Sequence, residues 1–293
     1  ETIPKYLDCN HAAAKSGGNF VRGPMEAWRR YVRAVAERFR GRITLYEVFN
    51  EPNLYISPEN YMRYLKSASE ELRAADPDYK IIGFCSTGDL AGEGKSAEYL
   101  KPCFDLGGLE DADIVSFHPY ASRQLSSGRP ADTMIATYRD LVKSYGRGNP
   151  LWNTELYYLS DGKSDDPNAY DAAKRFLIDL GEGVRQSVCP PGYRVMFKTL
   201  LLENTMAGTD RHGIESLPAP AFVIYNALAR LFERSRPVGK IRWPLDTMCY
   251  VYEREDGPRA AFWTYGSIPG VHVRLPHVRQ SRALPGPRHS AGH

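Results

Sequence analysis

Three short stretches hold side chains whose types and spacing fit one reaction. Tyr46-Glu47-Val48-Phe49-Asn50-Glu51-Pro52-Asn53 is a β-branched and aromatic run that ends in Asn-Glu-Pro. A carboxyl at the tip of a strand, with an amide before it and a proline stiffening the turn after it, can donate a proton while the amide holds a substrate hydroxyl. Glu155 closes a second such run, Leu151-Trp152-Asn153-Thr154-Glu155, 104 residues further on. Standing alone it would read as a solvated loop residue. Paired with Glu51 it supplies the second carboxylate needed to flank a glycosidic bond, one group as acid and the other as nucleophile. Between them, Ser116-Phe117-His118-Pro119-Tyr120 ends a third run. A histidine and a tyrosine there can hydrogen-bond the nucleophilic carboxylate and keep it ionised, although a strand-end histidine also serves as an ordinary structural hydrogen bonder.

These tips need strands behind them and helices between them. Ile43 to Phe49, Lys80 to Cys85, Asp113 to Phe117, Pro150 to Thr154 and Tyr193 to Leu202 are short apolar runs that read as buried strands. Trp28, Tyr31, Val32, Val35 and Phe39 make one helical stripe after Pro24, with Gly41 past its end; Tyr61, Tyr64, Leu65, Ala68 and Leu72 make another, opened by Ser57-Pro58 and closed by Asp76-Pro77. Similar stripes follow at 99–106, 134–145, 170–180 and 222–232. The strands begin near residues 43, 80, 113, 150 and 193, the spacing of right-handed βα units in a parallel sheet. A doubly wound sheet and a (β/α)8 TIM barrel both fit. No Gly-rich phosphate loop follows any strand, and the chemistry sits at strand C-termini, which favours the barrel. Past 236 the texture changes to three antiparallel runs, Val238 to Trp243, Met248 to Arg254 and Ala260 to Tyr265, with Asp256-Gly257 as a hairpin turn. The expected organisation is therefore α/β: a partial catalytic barrel over 1–236, the start of a C-terminal β-sandwich domain over 237–267, and a tail over 268–293.

That tail holds four Arg, four His and four Pro and no acidic residue, the composition expected of an out-of-frame end. It also carries the charge. The whole chain of 293 residues is +3, the tail alone is +4, and the remainder is close to neutral at −1. Nucleic-acid binding has little support on that distribution. Five widely spaced cysteines show no metal-ligand or disulfide pattern and read mainly as buried thiols, and no apolar run is long enough to span a membrane. Nineteen tyrosines suit a protein that stacks flat ligands, with Tyr55, Tyr157 and Tyr158 placed in the loops after the two carboxylate strands.

The FNEP strand end with its YEV lead-in, the later HPY and the later strand-end TE together resemble clan A of the glycoside hydrolases, with family 39 nearest and family 5 and its relatives close. The resemblance covers about residues 1 to 265. It implies a retaining (β/α)8 glycosidase acting on β-linked, xyloside- or glucoside-like substrates. Glu51 after strand 4 would be the acid/base, Asn50 the ligand of the sugar 2-hydroxyl, Glu155 after strand 7 the nucleophile, and His118 and Tyr120 their strand-6 partners. Phe197 would contact substrate, standing where the clan usually carries a tryptophan platform, and Tyr157, from its loop position alone, could stack on a sugar face. Glu1 to Leu7 would match the end of strand 3, so that strands 1 to 3, and the arginine the clan often places after strand 2, fall outside the chain. Neither a metal nor an organic cofactor is called for, the expected partner is a carbohydrate rather than a membrane or nucleic acid, and a secreted or periplasmic setting is compatible. Two other readings stand beside this one. A non-catalytic carbohydrate-binding relic or inactive fragment follows from five of eight strands; a Schiff-base aldolase would have to use Lys198 without a phosphate loop.

Overall fold

The helices begin and end where local chemistry sets them. Helix α1 (Met25–Arg38) follows extended Pro24, carries Glu26 in its first turn and Arg38 in its last, and stops ahead of Gly41 at φ 72°. Helix α2 (Pro58–Ala75) is capped by the Ser57 hydroxyl, which accepts from the Asn60 backbone N–H, while Pro58 fills a position that needs no donor. Its stripe of Tyr61, Tyr64, Leu65, Ala68 and Leu72 is buried. On α1 the buried face is Ala27, Val32 and Ala36, whereas Tyr31 stays exposed.

The computed structural model describes residues 24–87, 95–119, 131–155, 165–187, 197–199, 216–218, 220–243 and 247–264. Strands β1 (Leu45–Glu47), β2 (Lys80–Thr87), β3 (Ile114–His118), β4 (Leu151–Asn153) and β5 (Gln186–Ser187) form one curled sheet in chain order, and every pairing in it is parallel. Helix α2 connects β1 to β2. Helices α3 (Lys95–Asp105) and α4 (Gly108–Asp111) connect β2 to β3, α5 (Ala131–Ser144) connects β3 to β4, and α6 (Asp165–Gly181) connects β4 to β5. The result is a half-barrel of βα units. Ile81, Phe84, Val115, Phe117 and Leu151 from the strands meet Leu65, Leu100, Ile135, Tyr138 and Ile178 from the helices in one core. Burying each such side chain stabilises the fold by about 1.5–3 kcal/mol. No helix among the described residues is long and apolar enough to cross a membrane.

One strand differs from the sequence reading. The fifth parallel strand is Gln186–Ser187, not the apolar run at 193–202; the described part of that run, β6 (Phe197–Thr199), pairs antiparallel with β7 (Ser216–Pro218) instead. Two polar residues carry no strand period, so only their place beside Trp152 and Asn153 identifies them.

After α7 (Pro220–Phe232), strands β8 (Arg236–Trp243), β9 (Thr247–Glu253) and β10 (Arg259–Thr264) make an antiparallel sheet in the order β10-β9-β8. Gly257, at φ 120°, takes the turn that a side chain would resist. Among the described residues no second sheet faces this one; helix α6 does. Tyr252 donates its hydroxyl to the Leu177 carbonyl at 2.6 Å, and the Tyr250 ring occupies the space that a Cβ on Gly181 would need. Glu182, 5% exposed, receives Tyr250 Oη, Lys240 Nζ and Arg139 Nη1 and so ties the sheet to α5 and α6. The tail at 268–293 lies outside the described residues.

Candidate active site

Glu51 sits one turn beyond β1 in the left-handed conformation, φ 48° and ψ 50°, with Phe49 at φ 70° before it. Non-glycine residues avoid this region at about 1–2 kcal/mol each, so the tip must be held. Its restraints come from every side. The Val48 N–H bonds the Ile82 carbonyl and the Glu51 N–H bonds the Cys85 carbonyl. The Asn53 side chain clamps Thr87 twice, accepting from its N–H at 3.0 Å and donating to its carbonyl at 2.8 Å. Phe49 stacks on Trp28 with ring centroids 5.3 Å apart and meets Tyr64 edge-on at 5.6 Å. Tyr61, completely buried with its phenol held protonated by desolvation, bridges the Val48 carbonyl and the Phe84 N–H.

Strand β2 carries a matching irregularity. Phe84 and Cys85 have φ of 81° and 37°, and the register against β3 shifts between Gly83 and Ser86. Bulges of this kind re-aim side chains near sites. Here the bulge brings the Cys85 sulfur to 3.0 Å from Nε2 of His118, the last residue of β3. Burial above all, and then the charge of Glu47, push the Cys85 thiol far up, so it is no nucleophile.

His118, 1% exposed, is the hub. Its Nδ1 lies 2.9 Å from Oε1 of Glu51 and 3.8 Å from Oε2 of Glu155. The hydrogen bond to Glu51 departs from the sequence reading, which gave His118 to the nucleophile; the left-handed turn at Glu51 swings that carboxyl over the end of β3. A single oxygen from each glutamate and the histidine nitrogen all lie within 4.8 Å of one another. Both carboxyls keep contact with solvent, at 19% and 32% side-chain exposure, as groups that meet a substrate must.

A buried ion pair supports the far side of the site. Asp179 on α6, wholly buried, accepts from Arg175 Nε at 2.8 Å, Asn153 Nδ2 at 2.7 Å and Ser187 Oγ at 2.7 Å. Arg175 in turn donates to the Pro119 carbonyl at 3.2 Å. One network therefore fixes the residue after His118, the strand two residues before Glu155, and β5. Arg175 and Asp179 escape a sequence reading because an i, i+4 Arg-Asp pair looks like a solvated helix face. Cys85 escapes because nothing local announces the bulge.

The other expected site residues divide. The Asn50 side chain is exposed beside Glu51, and its carbonyl receives the Tyr55 hydroxyl, so Tyr55 is committed to the backbone. Trp28 is packed against the core, as its stripe predicts. Glu47, in the same strand, is exposed, and its charge is one of the influences that raise the Cys85 thiol. Phe197 lies in β6, which pairs with β7 rather than with the parallel sheet. Tyr120, Tyr157 and Tyr158 lie outside the described residues.

No family model matches the chain, and no curated protein matches it. Solved structures do. A family 39 glycoside hydrolase from the gut symbiont Bacteroides cellulosilyticus superposes with a TM-score of 0.63 at 19% identity, over 82% of this chain and 52% of its own. A conserved exported protein from Bacteroides fragilis gives 0.60 at 13%, over 85% and 61%. A family 39 β-xylosidase from Caulobacter crescentus gives 0.52 at 16%, over 78% and 54%. The likeness is one of fold: the curled five-stranded sheet corresponds to half of a glycoside hydrolase TIM barrel. The chain spans between about half and three fifths of the length of these structures.

Proposed function

We propose that the protein is a retaining glycosidase of β-linked, xyloside- or glucoside-like substrates, with residues 1–236 as its catalytic barrel portion and 237–267 as an appended β unit. The observation that carries this reading is the meeting of Glu51 and Glu155 at the C-terminal ends of parallel strands, with one oxygen of each within 4.8 Å. Carboxyl groups in retaining enzymes stand about 5–5.5 Å apart, whereas inverting enzymes leave about 6.5–9.5 Å for a water. Glu155 attacks the anomeric carbon, Glu51 passes its proton to the leaving oxygen, and Glu51 then takes a proton from the water that releases the sugar. Asn50, exposed beside Glu51, is the proposed ligand of a sugar hydroxyl; Tyr120 and Phe197 are proposed sugar contacts by resemblance, and Tyr157 by its place in the loop after the second carboxylate strand.

The same three side chains are close enough to be weighed as a metal triad, but a 2.9 Å contact between Nδ1 and Oε1 is a shared-proton distance, which the proton-transfer reading uses directly. The test is hydrolysis of aryl β-xylosides and β-glucosides, followed by NMR at early times. The β-anomer is expected as first product, at a rate that a chelator such as EDTA leaves unchanged. An α-anomer first product, or loss of turnover on chelation restored by zinc, would sink the reading. The carbohydrate-binding relic is favoured by one feature: β1 and β5 flank the sheet with no further strand paired to them among the described residues. Sugar binding by calorimetry without any turnover would select it.

A further inference from the structure

The far end of the parallel sheet from Glu51 and Glu155 is also hollow. Ile114 opens β3 and Leu151 opens β4, so both mark the N-terminal ends of strands whose other ends lead to His118 and Glu155. Beside them lies a cavity of about 530 Å³, between the last turns of α5, the loop 145–150 that enters β4, and the turn from α6 into β5. Small-ligand sites commonly hold about 300–1,000 Å³. The floor is apolar: Ile114, Val142 and Leu151 are buried there and Trp152 is half-buried. The walls are cationic. Arg139, Lys143, Arg147 and Arg185 line the cavity against one carboxylate, that of Glu182.

That carboxylate is already engaged. It receives Lys240 Nζ at 2.6 Å, Tyr250 Oη at 2.7 Å and Arg139 Nη1 at 3.0 Å. Arg139 also faces Asp140, with Nε at 3.9 Å. Arg147 pairs with the mostly exposed Glu110, an attachment that solvent keeps weak. Lys143 and Arg185 pair with no carboxylate among the described residues. A chain that is close to neutral outside its tail therefore gathers uncompensated cations around one hollow. The backbone fixes these walls. Asn149 Nδ2 donates to the Leu109 and Ala112 carbonyls at 3.1 and 2.8 Å, and the Arg185 N–H donates to the Leu151 carbonyl at 2.9 Å. Little ordering is left for a ligand to impose.

We propose that this hollow binds a sugar bearing an oxyanion, a phosphate or a carboxylate, with the ring against Trp152 and the anion among Lys143, Arg147 and Arg185. Guanidinium forks match the paired oxygens of both anions, and an indole face suits the C–H side of a pyranose. None of these residues belongs to the Glu51, His118 and Glu155 cluster, so binding here neither needs nor reports hydrolysis.

Titration of the full chain with glucose 6-phosphate, glucuronate, inorganic phosphate and glucose tests this, in a zwitterionic buffer with about 0.15 M NaCl to screen diffuse attraction. At least one charged sugar is expected to bind saturably below about 1 mM by calorimetry. The tighter of the two tells phosphate from carboxylate. Binding is expected to change tryptophan fluorescence in the parent and not in Trp152→Phe. Glucose is expected not to bind, and inorganic phosphate to bind about tenfold or more weakly than glucose 6-phosphate. The Lys143→Ala, Arg185→Ala double variant removes two exposed side chains outside every described ion pair. It is expected to fold as the parent does and to bind the charged sugar about tenfold or more weakly. Saturable binding by neither charged sugar, equal binding of glucose or of inorganic phosphate, a fluorescence change that survives Trp152→Phe, or undiminished affinity in the folded double variant overturns the proposal.

Discussion

On the proposed glycosidase reading, replacing Glu155 with alanine is expected to lower turnover of an aryl β-glycoside by about 10⁴-fold or more, because no group near enough among the described residues can take over attack on the anomeric carbon. Among the described residues Glu51 and His118 are the only ionisable groups sharing its cluster, and both are engaged with each other at 2.9 Å. Azide fills the space of the missing carboxyl and restores part of the rate, giving the α-glycosyl azide. The matching Glu51→Ala variant behaves differently. It loses about 10²–10⁴-fold on substrates with poor leaving groups, which need protonation, and much less on activated aryl leaving groups in the first step. Steady-state kinetics over a leaving-group series separates the two roles. Equal losses on all substrates in both variants, with no azide product, would remove the assignment of acid and nucleophile.

Asp179→Ala is expected to destabilise the protein by about 3–5 kcal/mol, a large part of the stability of an ordinary domain. The cause is electrostatic. Asp179 is completely buried, and without it the Arg175 guanidinium, 2% exposed, loses the only carboxylate with which it pairs among the described residues. The Asn153 amide and Ser187 hydroxyl lose their shared acceptor in the same step. Urea unfolding of the variant measures the loss as a lower midpoint at unchanged slope. A double variant, Arg175→Met with Asp179→Leu, is expected to recover most of that stability, since an apolar pair of similar volume avoids burying charge. Activity is not expected to recover with it. The ties to Pro119 and Asn153 would still be gone, and with them the placement of His118 and Glu155. A shift below about 1 kcal/mol for the single variant would mean that the pair is solvated, against its burial.

Much of this was legible in the amino-acid order because the signals were local. The strand tips carrying Glu51, His118 and Glu155 stand at apolar runs with strand period, and the α2 stripe is buried as its 3.6-residue spacing requires. What escaped depends on tertiary placement. The fifth strand is two polar residues recognised only by their neighbours, while a more apolar run nearby pairs elsewhere. The partner of His118 could not be read from spacing, because it is decided by one positive φ at Glu51. Arg175 and Asp179 look from sequence like any salt-bridged surface turn; only the packing of α6 against β4 and β5 takes them out of water.

The left-handed backbone at position 51 sets folding and chemistry against each other. Glycine or asparagine would adopt φ 48° more readily than glutamate does. A library at this position sorted only for yield of folded protein would therefore enrich those two residues, and the same library sorted for sugar release would keep Glu51. On the proposed reading, the carboxylate stands at a turn where folding alone would favour glycine, so the two sorted libraries would separate what the backbone asks of this position from what the chemistry asks of it.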